Sequence, residues 1–367
     1  MRGLYVHVPF CVSKCRYCDF YSITGRSQDR HTYVDSVLDE AKAWPGLRFD
    51  TLYLGGGTPG LLGGTLLNYL VTGLSRIFDL AGLEEATIEV NPDSTTPELL
   101  GAVKNARFNR ISIGVQSLEN GELQSVGRVH DAGQAMAAVK LAKEHRFVSI
   151  SADVIAGLPG QSWESLRRSL ETLTGSGVHH ISLYCLSVEP GTPLASAPPA
   201  NLPDDDAQAE LYAQASAFLE SRGFSHYEIS NFALPGHECR HNLNYWRGGE
   251  YLGLGPAAAS HMEGKRFRNL ADVNAYIAGA AAIKEDVEQL DVKAKAAEEA
   301  MLRLRLLQEG IGRKEMAEKF GEQNVLPLFV RLTRMVSDGK LIEKNCRFRL
   351  PPNRVLTSNS ILAEVLS

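Results

Sequence analysis

Apolar residues in the first half of the chain fall in short runs, separated by longer stretches in which they recur at every third or fourth position. The runs are "LYVHV" (4–8), "TLYLGG" (51–56), "ATIEV" (86–90), "RISIGVQ" (110–116), "VSISADVIAG" (148–157) and "ISLYCLSV" (181–188). Each reads as a buried strand, because continuous apolar runs suit a parallel sheet covered on both faces. Between them, Tyr33, Val34, Val37, Leu38 and Ala41 fall on one helical face, as do Ala135, Ala138, Val139 and Ala142. Six strands, each followed by a helix, are βα repetition, which right-handed crossovers turn into an open α/β sheet or a barrel. The sixth helix, "DDDAQAELYAQASAFLESRG", places Asp204 to Asp206 at its positive end and Gly223 at its stop.

Beyond Gly223 the pattern changes. The stretch "FSHYEISNFALPGHECRHNLNYWRGGEYLGLGPAAASHMEGKRFRN" is rich in Gly, aromatics and His, and reads as short strands and loops. A helix about 293–308 then opens a terminal module of two further helices and a hairpin, "LIEKNCRFRL", which is a winged-helix pattern. "ASAPPANLPDD" is the one linker-like segment. The division this predicts is a core over 1–233, a connecting region over 234–290 and a terminal α+β domain over 291–367.

Composition narrows the setting. At 367 residues, 44% hydrophobic and 22% charged, the chain is an ordinary globular one, and it lacks the roughly 18 unbroken apolar residues of a membrane span. "MRGLYVHVPF" has no apolar secretory core, so a cytoplasmic protein with reduced thiols and no disulfides is expected. A net charge of -5 exerts no general pull on nucleic acid or anionic lipid. Residues 301–350 carry eleven Lys or Arg against six Asp or Glu, an excess that reads as a solvated face, and no nucleic-acid partner is expected.

Cys185, Cys239 and Cys346 read as buried small residues. Cys11, Cys15 and Cys18 differ: C-x3-C-x2-C directly after a strand lets one loop wrap three thiolates around a metal centre. Zinc with His7 completing a Cys3His set is one reading, although structural zinc usually draws on two separated pairs. A four-iron cluster with one iron left for another ligand is the other. The strand ends add polar groups. "LGGGTP" (54–59) brings glycines that allow close backbone approach, and Glu89, Gln116 and Asp153 stand at the mouths of strands three, four and five, with Arg128 in "GRVHD". A buried carboxylate such as Glu89 calls for a cationic ligand or an Arg partner.

C-x3-C-x2-C with an aromatic, Tyr17, before its last Cys resembles the radical S-adenosylmethionine (SAM) superfamily. That resemblance implies an α/β fold of the partial (β/α)6, TIM-like barrel type. It also implies a 4Fe-4S cluster on Cys11, Cys15 and Cys18, whose free iron chelates the amino and carboxylate groups of SAM, and reductive cleavage to a 5'-deoxyadenosyl radical. The GGTP form resembles the oxygen-independent coproporphyrinogen III oxidase-like (HemN/HemW) family, and implies SAM contacts by Tyr5, Tyr17, Gly56, Gly57, Thr58, Glu89, Gln116, Arg128 and Asp153.

Within that family the oxidases carry a fourth motif cysteine where this chain has Phe20, whereas the heme-chaperone (HemW) branch has Phe there and an H-N-x-x-Y-W motif, here "HNLNYW". The resemblance to that branch implies a heme chaperone that delivers heme to respiratory acceptor proteins, peripherally at the membrane or in the cytoplasm, and leaves a homodimer open. His241, Asn242, Tyr245 and Trp246 are then the candidate heme contacts, with His237 and Cys239 as rival iron ligands and Arg240 and Arg247 placed for propionates. A structural loop with a core Trp is the plain alternative for this motif. An anaerobic coproporphyrinogen III oxidase is the alternative for the chain.

Overall fold

The computed structural model describes residues 1–279 and 283–366. At its centre lie six parallel strands, β1 (Arg2–Val8), β2 (Thr51–Gly56), β3 (Glu85–Val90), β4 (Arg110–Gln116), β5 (Ser149–Ala156) and β6 (His180–Cys185). They pair in chain order. The helices that follow them are α1 (Arg30–Ala41), α2 (Gly63–Ile77), α3 (Pro97–Asn105), α4 (Ala132–Glu144), α5 (Trp163–Gly175) and α6 (Asp205–Ser221). The ring stays open, because the outer edge of β6 pairs with an antiparallel strand while β1 takes a different parallel neighbour. This is the partial (β/α)6 barrel that the family resemblance implied, and one of the two arrangements the βα repetition allowed.

One feature of the strands departs from the expectation of continuous apolar runs: they alternate. Leu4, Val6 and Val8 of β1, Leu52 and Leu54 of β2, and Ile111, Ile113 and Val115 of β4 are buried in the apolar core shared with the helices. The intervening residues turn into the lumen, where the Tyr53 hydroxyl donates to Glu89 at 2.7 Å and the Ser112 hydroxyl to Asp153 at 3.0 Å. Tyr, His and Ser at lumen positions blur the period of two in the sequence, although the pleat still sends successive side chains to opposite faces.

After α6 the chain continues the same sheet, which reaches twelve strands among the described residues. β7 (Ser225–Glu228) and β8 (Asn231–Ala233) extend it beyond β6. On the other side, β9 (Glu250–Leu254) runs parallel to β1, followed by β10 (Ala259–Met262), β11 (Lys265–Asn269) and β12 (Lys284–Gln289). The segment read as loops includes a helix, α7 (Arg240–Trp246), which contains HNLNYW. Its cap comes from far along the chain: the Glu85 carboxylate accepts the Arg240 and His241 amides at 3.1 and 3.0 Å, which meets the unsatisfied donors of a helix N-terminus.

The terminal module comprises α8 (Val292–Arg303), which ends short of the anticipated 308, β13 (Ile311–Gly312), α9 (Arg313–Phe320), α10 (Glu322–Ser337), the hairpin β14 (Ile342–Lys344) and β15 (Arg347–Arg349), and α11 (Ser358–Leu366). Val325, Leu328, Phe329, Leu332 and Met335 bury the core face of α10. The hairpin turns on Asn345 and Cys346 at φ 55° and 57°. Cys346 is therefore exposed at a turn, and Cys185 is half-buried; of the three cysteines expected in the interior only Cys239 is fully so.

A buried carboxylate holds the sheet extension to the barrel. Glu40 on α1 accepts from the Gly255 amide (3.0 Å), Asn269 Nδ2 (2.8 Å), the Tyr276 hydroxyl (2.6 Å) and Lys284 Nζ (2.6 Å). Removing one member of such a network strands the others in low dielectric. Glu40→Ala should lower unfolding free energy by about 3–5 kcal/mol in urea titrations, and a loss below about 1 kcal/mol would show that the network carries little.

Candidate cofactor-binding site at the barrel mouth

β1 delivers the chain to the C-terminal mouth of the barrel, where βα loops conventionally hold the ligand. Several bonds fix the cysteine loop that follows. The ring of His7 donates from Nε2 to the Tyr21 carbonyl at 2.8 Å, so its Nδ1 must accept from the Tyr5 hydroxyl at 3.0 Å. The Arg16 amide donates to the Val126 carbonyl at 3.0 Å, and its guanidinium reaches the Ser125 and Ala197 carbonyls at 3.2 and 3.0 Å. With both nitrogens engaged and burial holding its pKa below the ordinary imidazole range, His7 is a strut for the loop. The Cys3His zinc set loses its fourth ligand.

The glycine run packs directly against this loop. The Gly57 and Thr58 amides donate to the Val8 and Phe10 carbonyls at 2.8 and 2.7 Å. A Cβ on Gly57 would lie 2.7 Å from the Phe10 carbonyl oxygen and 3.1 Å from Cys11 Sγ, so only glycine lets the two segments meet.

Around them opens a cavity of about 410 Å³ lined by Cys11, Cys15, Cys18, Tyr17, Gly56, Gly57, Glu89, Gln116, Arg128 and Asp153. Of the SAM contacts anticipated from the sequence, Tyr5 and Thr58 stand behind the wall, Tyr5 on His7 and Thr58 with its hydroxyl 3.8 Å from Cys11 Sγ. The sequence reading passed over Asn91, Tyr184, Cys185 and Glu189, which also line the cavity. Asn91 was legible as a polar residue ending β3 in "IEVNPD"; the β6 loop offered no comparable signal. Gln116 sits at φ 65°, a left-handed backbone next to a register shift in β4; strain of this kind concentrates at functional sites.

The two carboxylates of the cavity are hydrogen-bonded to uncharged groups. Glu89 accepts from the Tyr53 hydroxyl at 2.7 Å and the Gly56 amide at 3.2 Å, and Asp153 from Ser112, all neutral donors. Burial, reinforced by the Asp153 carboxylate and opposed by its two hydrogen bonds, pushes Glu89 up to about 7. Burial also raises Asp153, against its serine hydrogen bonds and the more distant Arg110 and Arg128. Among the described residues no three His, Cys, Asp or Glu side chains converge tightly enough to hold one metal ion. Three thiol side chains on one cavity wall suit a cluster in which each binds a different iron.

HNLNYW lies at the other end of the barrel. His241 Nδ1 is 2.8 Å from the hydroxyl of Thr51, the first residue of β2, and its Nε2 is 2.7 Å from the Tyr245 hydroxyl. The ring is buried, and that burial pushes its pKa down to about 3. Trp246 stacks under the Arg305 guanidinium, 4.3 Å from its ring centre, joining the floor to the terminal module. Asn242 is half-buried on the same helix. Arg240 and Arg247 are engaged by Glu84 and Glu309. Of the three candidate iron ligands, Cys239 is a buried thiol beside Glu85 with its pKa pushed up to about 12, chiefly by burial, and His241 has no open nitrogen. His237, half-buried and stacked on His179 at 4.3 Å, has a buried Nδ1 without a hydrogen-bond partner among the described residues. The structure thus places the candidate heme residues apart from the cysteine loop.

An open (β/α)6 barrel whose first loop presents three cysteines to a mouth containing buried carboxylates is the architecture of a radical SAM protein, and the Radical SAM superfamily model matches residues 5–173. Membership implies a 4Fe-4S cluster and SAM. Heme chaperone HemW of Lactococcus lactis is 35% identical over 308 residues, covering 83% of this chain and 81% of that protein. Heme chaperone HemW of Mycobacterium tuberculosis is 40% identical over 319 residues, covering 83% and 82%. The chain belongs to the HemW family of the radical SAM superfamily. In fold, coproporphyrinogen III oxidase (HemN) from Escherichia coli superposes with a TM-score of 0.87 at 22% identity, covering all of this chain and 90% of that one.

The donor set fits both groups. Three thiolates can hold three irons, and two buried carboxylates hydrogen-bonded to neutral donors could receive the sulfonium charge and the amino N–H groups of SAM, which in this superfamily supplies reductive-cleavage chemistry when bound. A cation binds the ionised form of Glu89, so below its pKa of about 7 binding must first displace a proton. SAM affinity of the cluster-loaded protein should therefore hold above about pH 8 and weaken on acidification, approaching a tenfold loss per unit of pH below the pKa. Isothermal titration across that range tests this; a flat profile would show that Glu89 does not meet the cation.

Proposed function

We propose that the chain is a heme chaperone: it binds heme and a SAM-coordinated 4Fe-4S cluster, and hands heme to acceptor hemoproteins, including respiratory ones at the membrane surface. The observation that carries this reading is Phe20. In the position where the oxidases of the wider family bring a further thiolate, this chain has a side chain 65% exposed at the cavity wall, and the relatives that share its length are named heme chaperones. The oxidase reading rests on fold alone, and a fold hosts several chemistries.

The test is a pair of assays on one anaerobically reconstituted sample. Heme should bind and pass to an apo-hemoprotein, while coproporphyrinogen III with a reductant and SAM should yield no protoporphyrinogen. Sustained decarboxylation would replace the chaperone with an oxidase.

We place heme ligation on His237, the one of the three candidates that is not fully buried, and give the HNLNYW helix the task of closing the barrel floor. His237→Ala should weaken heme titration several-fold with the fold intact. His241→Ala should leave heme affinity near that of the parent but lower stability by about 1–3 kcal/mol, because the Thr51 and Tyr245 hydroxyls lose a buried partner. The reverse pattern, heme binding lost with His241 and kept without His237, would return ligation to the motif.

A further inference from the structure

We propose that Arg128 is a positioning residue for the cluster: it acts through the Cys15 sulfur to raise the cluster's reduction potential, at the head of a network that supplies a donor to Cys15 and to Cys11. The inference rests on the cluster reading of the mouth and extends it to residues that touch no iron.

The geometry fixes the direction of each bond. Arg128 Nη2 donates to the Gly114 carbonyl at 2.8 Å and to Asn91 Oδ1 at 2.9 Å, which locks the guanidinium against the ends of β3 and β4. So held, its Nη1 points at Cys15 Sγ, 3.4 Å away. Because Asn91 Oδ1 accepts from Arg128, the amide's other end is its NH2 group, and that group donates to Thr58 Oγ1 at 2.9 Å. Thr58 already accepts there, so its own hydrogen is free for Cys11 Sγ at 3.8 Å. One continuous chain thus runs from Cys15 through Arg128, Asn91 and Thr58 to Cys11. The third sulfur has a separate donor, the Phe20 amide, which bonds to Cys18.

The packing leaves this arrangement little freedom. A Cβ on Gly114 would come within 2.9 Å of Asn91 Oδ1, 3.0 Å of Gln116 Nε2 and 3.4 Å of Arg128 Nη2, so glycine is what lets the three side chains converge. Arg128 Nε is buried without an acceptor among the described residues. The bonds the guanidinium makes go to a carbonyl, an amide oxygen, an imidazole, the Tyr17 side chain and a sulfur, with the Asp93 and Asp153 carboxylates acting on it only at longer range. A buried cation needs compensating negative charge, and the sulfur it faces is where a cluster carries it. Hydrogen bonds and positive charge at the sulfurs favour the reduced, more negative state and raise the potential.

Arg128→Gln, Arg128→Lys and Thr58→Val, reconstituted anaerobically alongside the parent, separate this from a structural role by redox titration with EPR detection. At the parent's midpoint the reduced-to-oxidised ratio in Arg128→Gln should fall about tenfold, equivalent to about 59 mV for one electron. Arg128→Lys, which keeps the charge without the anchored fork, should recover part of that shift, and Thr58→Val should move the same way by less. A midpoint unchanged in Arg128→Gln at full iron and sulfide content would overturn the proposal. Should that variant fail to load, an unchanged midpoint in loaded Thr58→Val would overturn it. A parent that takes up no iron and sulfide would instead remove the cluster reading underneath.

Discussion

Two carboxylates with only neutral hydrogen-bond donors, Glu89 and Asp153, set the terms for the rest of the molecule. A strand interior normally excludes such groups, since an ionised carboxylate in low dielectric costs several kcal/mol unless charge compensates it. The protein accepts part of that cost by raising both pKa values. A barrel lumen is where this arrangement can be tolerated: hydroxyls of Tyr53 and Ser112 on neighbouring strands share the lumen face and reach the carboxylates, while the opposite face keeps its apolar contact with the helices. The alternation of the strands is thus the structural condition for the cavity's chemistry. A cation entering the mouth would relieve the unfavourable charge.

The two ends of the barrel use carboxylates for different purposes. At the mouth they take their hydrogen bonds from neutral donors. At the floor Glu85, at the start of β3, is spent on the amides of Arg240 and His241 and on the thiol of Cys239. His241 bridges Thr51 and Tyr245 beneath β1, where a Cβ on Gly3 would come within 2.9 Å of its ring. Such contacts seal the floor, in keeping with the division in barrel proteins between a functional C-terminal face and a stabilising N-terminal one. Trp246 under Arg305 then carries this seal to the terminal module, so the motif that looks most like a ligand site also couples barrel to appendage.

Much of this was legible in the sequence wherever a local signal existed. The six strand runs match β1 to β6 to within a few residues at each end, because β-branched and apolar residues bounded by turn formers are a short-range pattern. The cysteines, and polar residues closing otherwise apolar strands, pointed to one mouth for the same reason. What escaped depends on distant partners. Helix α7 is too short to show a period, and its cap, Glu85, is 155 positions away from Arg240. The pairing of β9 with β1 leaves no mark on either strand. Asn91 is polar at a strand end like its neighbours, but its part becomes visible only once Arg128 and Thr58 lie on either side of it. HNLNYW reads alike whether its imidazole meets iron or closes a floor, since both tasks suit flat side chains with polar tips.

Phe20 unites these strands of argument. Cysteine at that position would present a thiolate to the mouth; phenylalanine keeps the same backbone amide on Cys18 and turns its ring to solvent. The substitution therefore changes two properties together. It removes a potential sulfur ligand while keeping a donor on the third cysteine, so the outer hydrogen bonding of the cluster survives unaltered in number. It also places exposed apolar surface beside the opening, with Val12 of the same loop 58% exposed. Aromatic surface of this kind is costly to leave in water and is characteristic of faces that meet a partner. The mouth thus combines buried carboxylates and a three-sulfur wall with a rim of exposed apolar side chains.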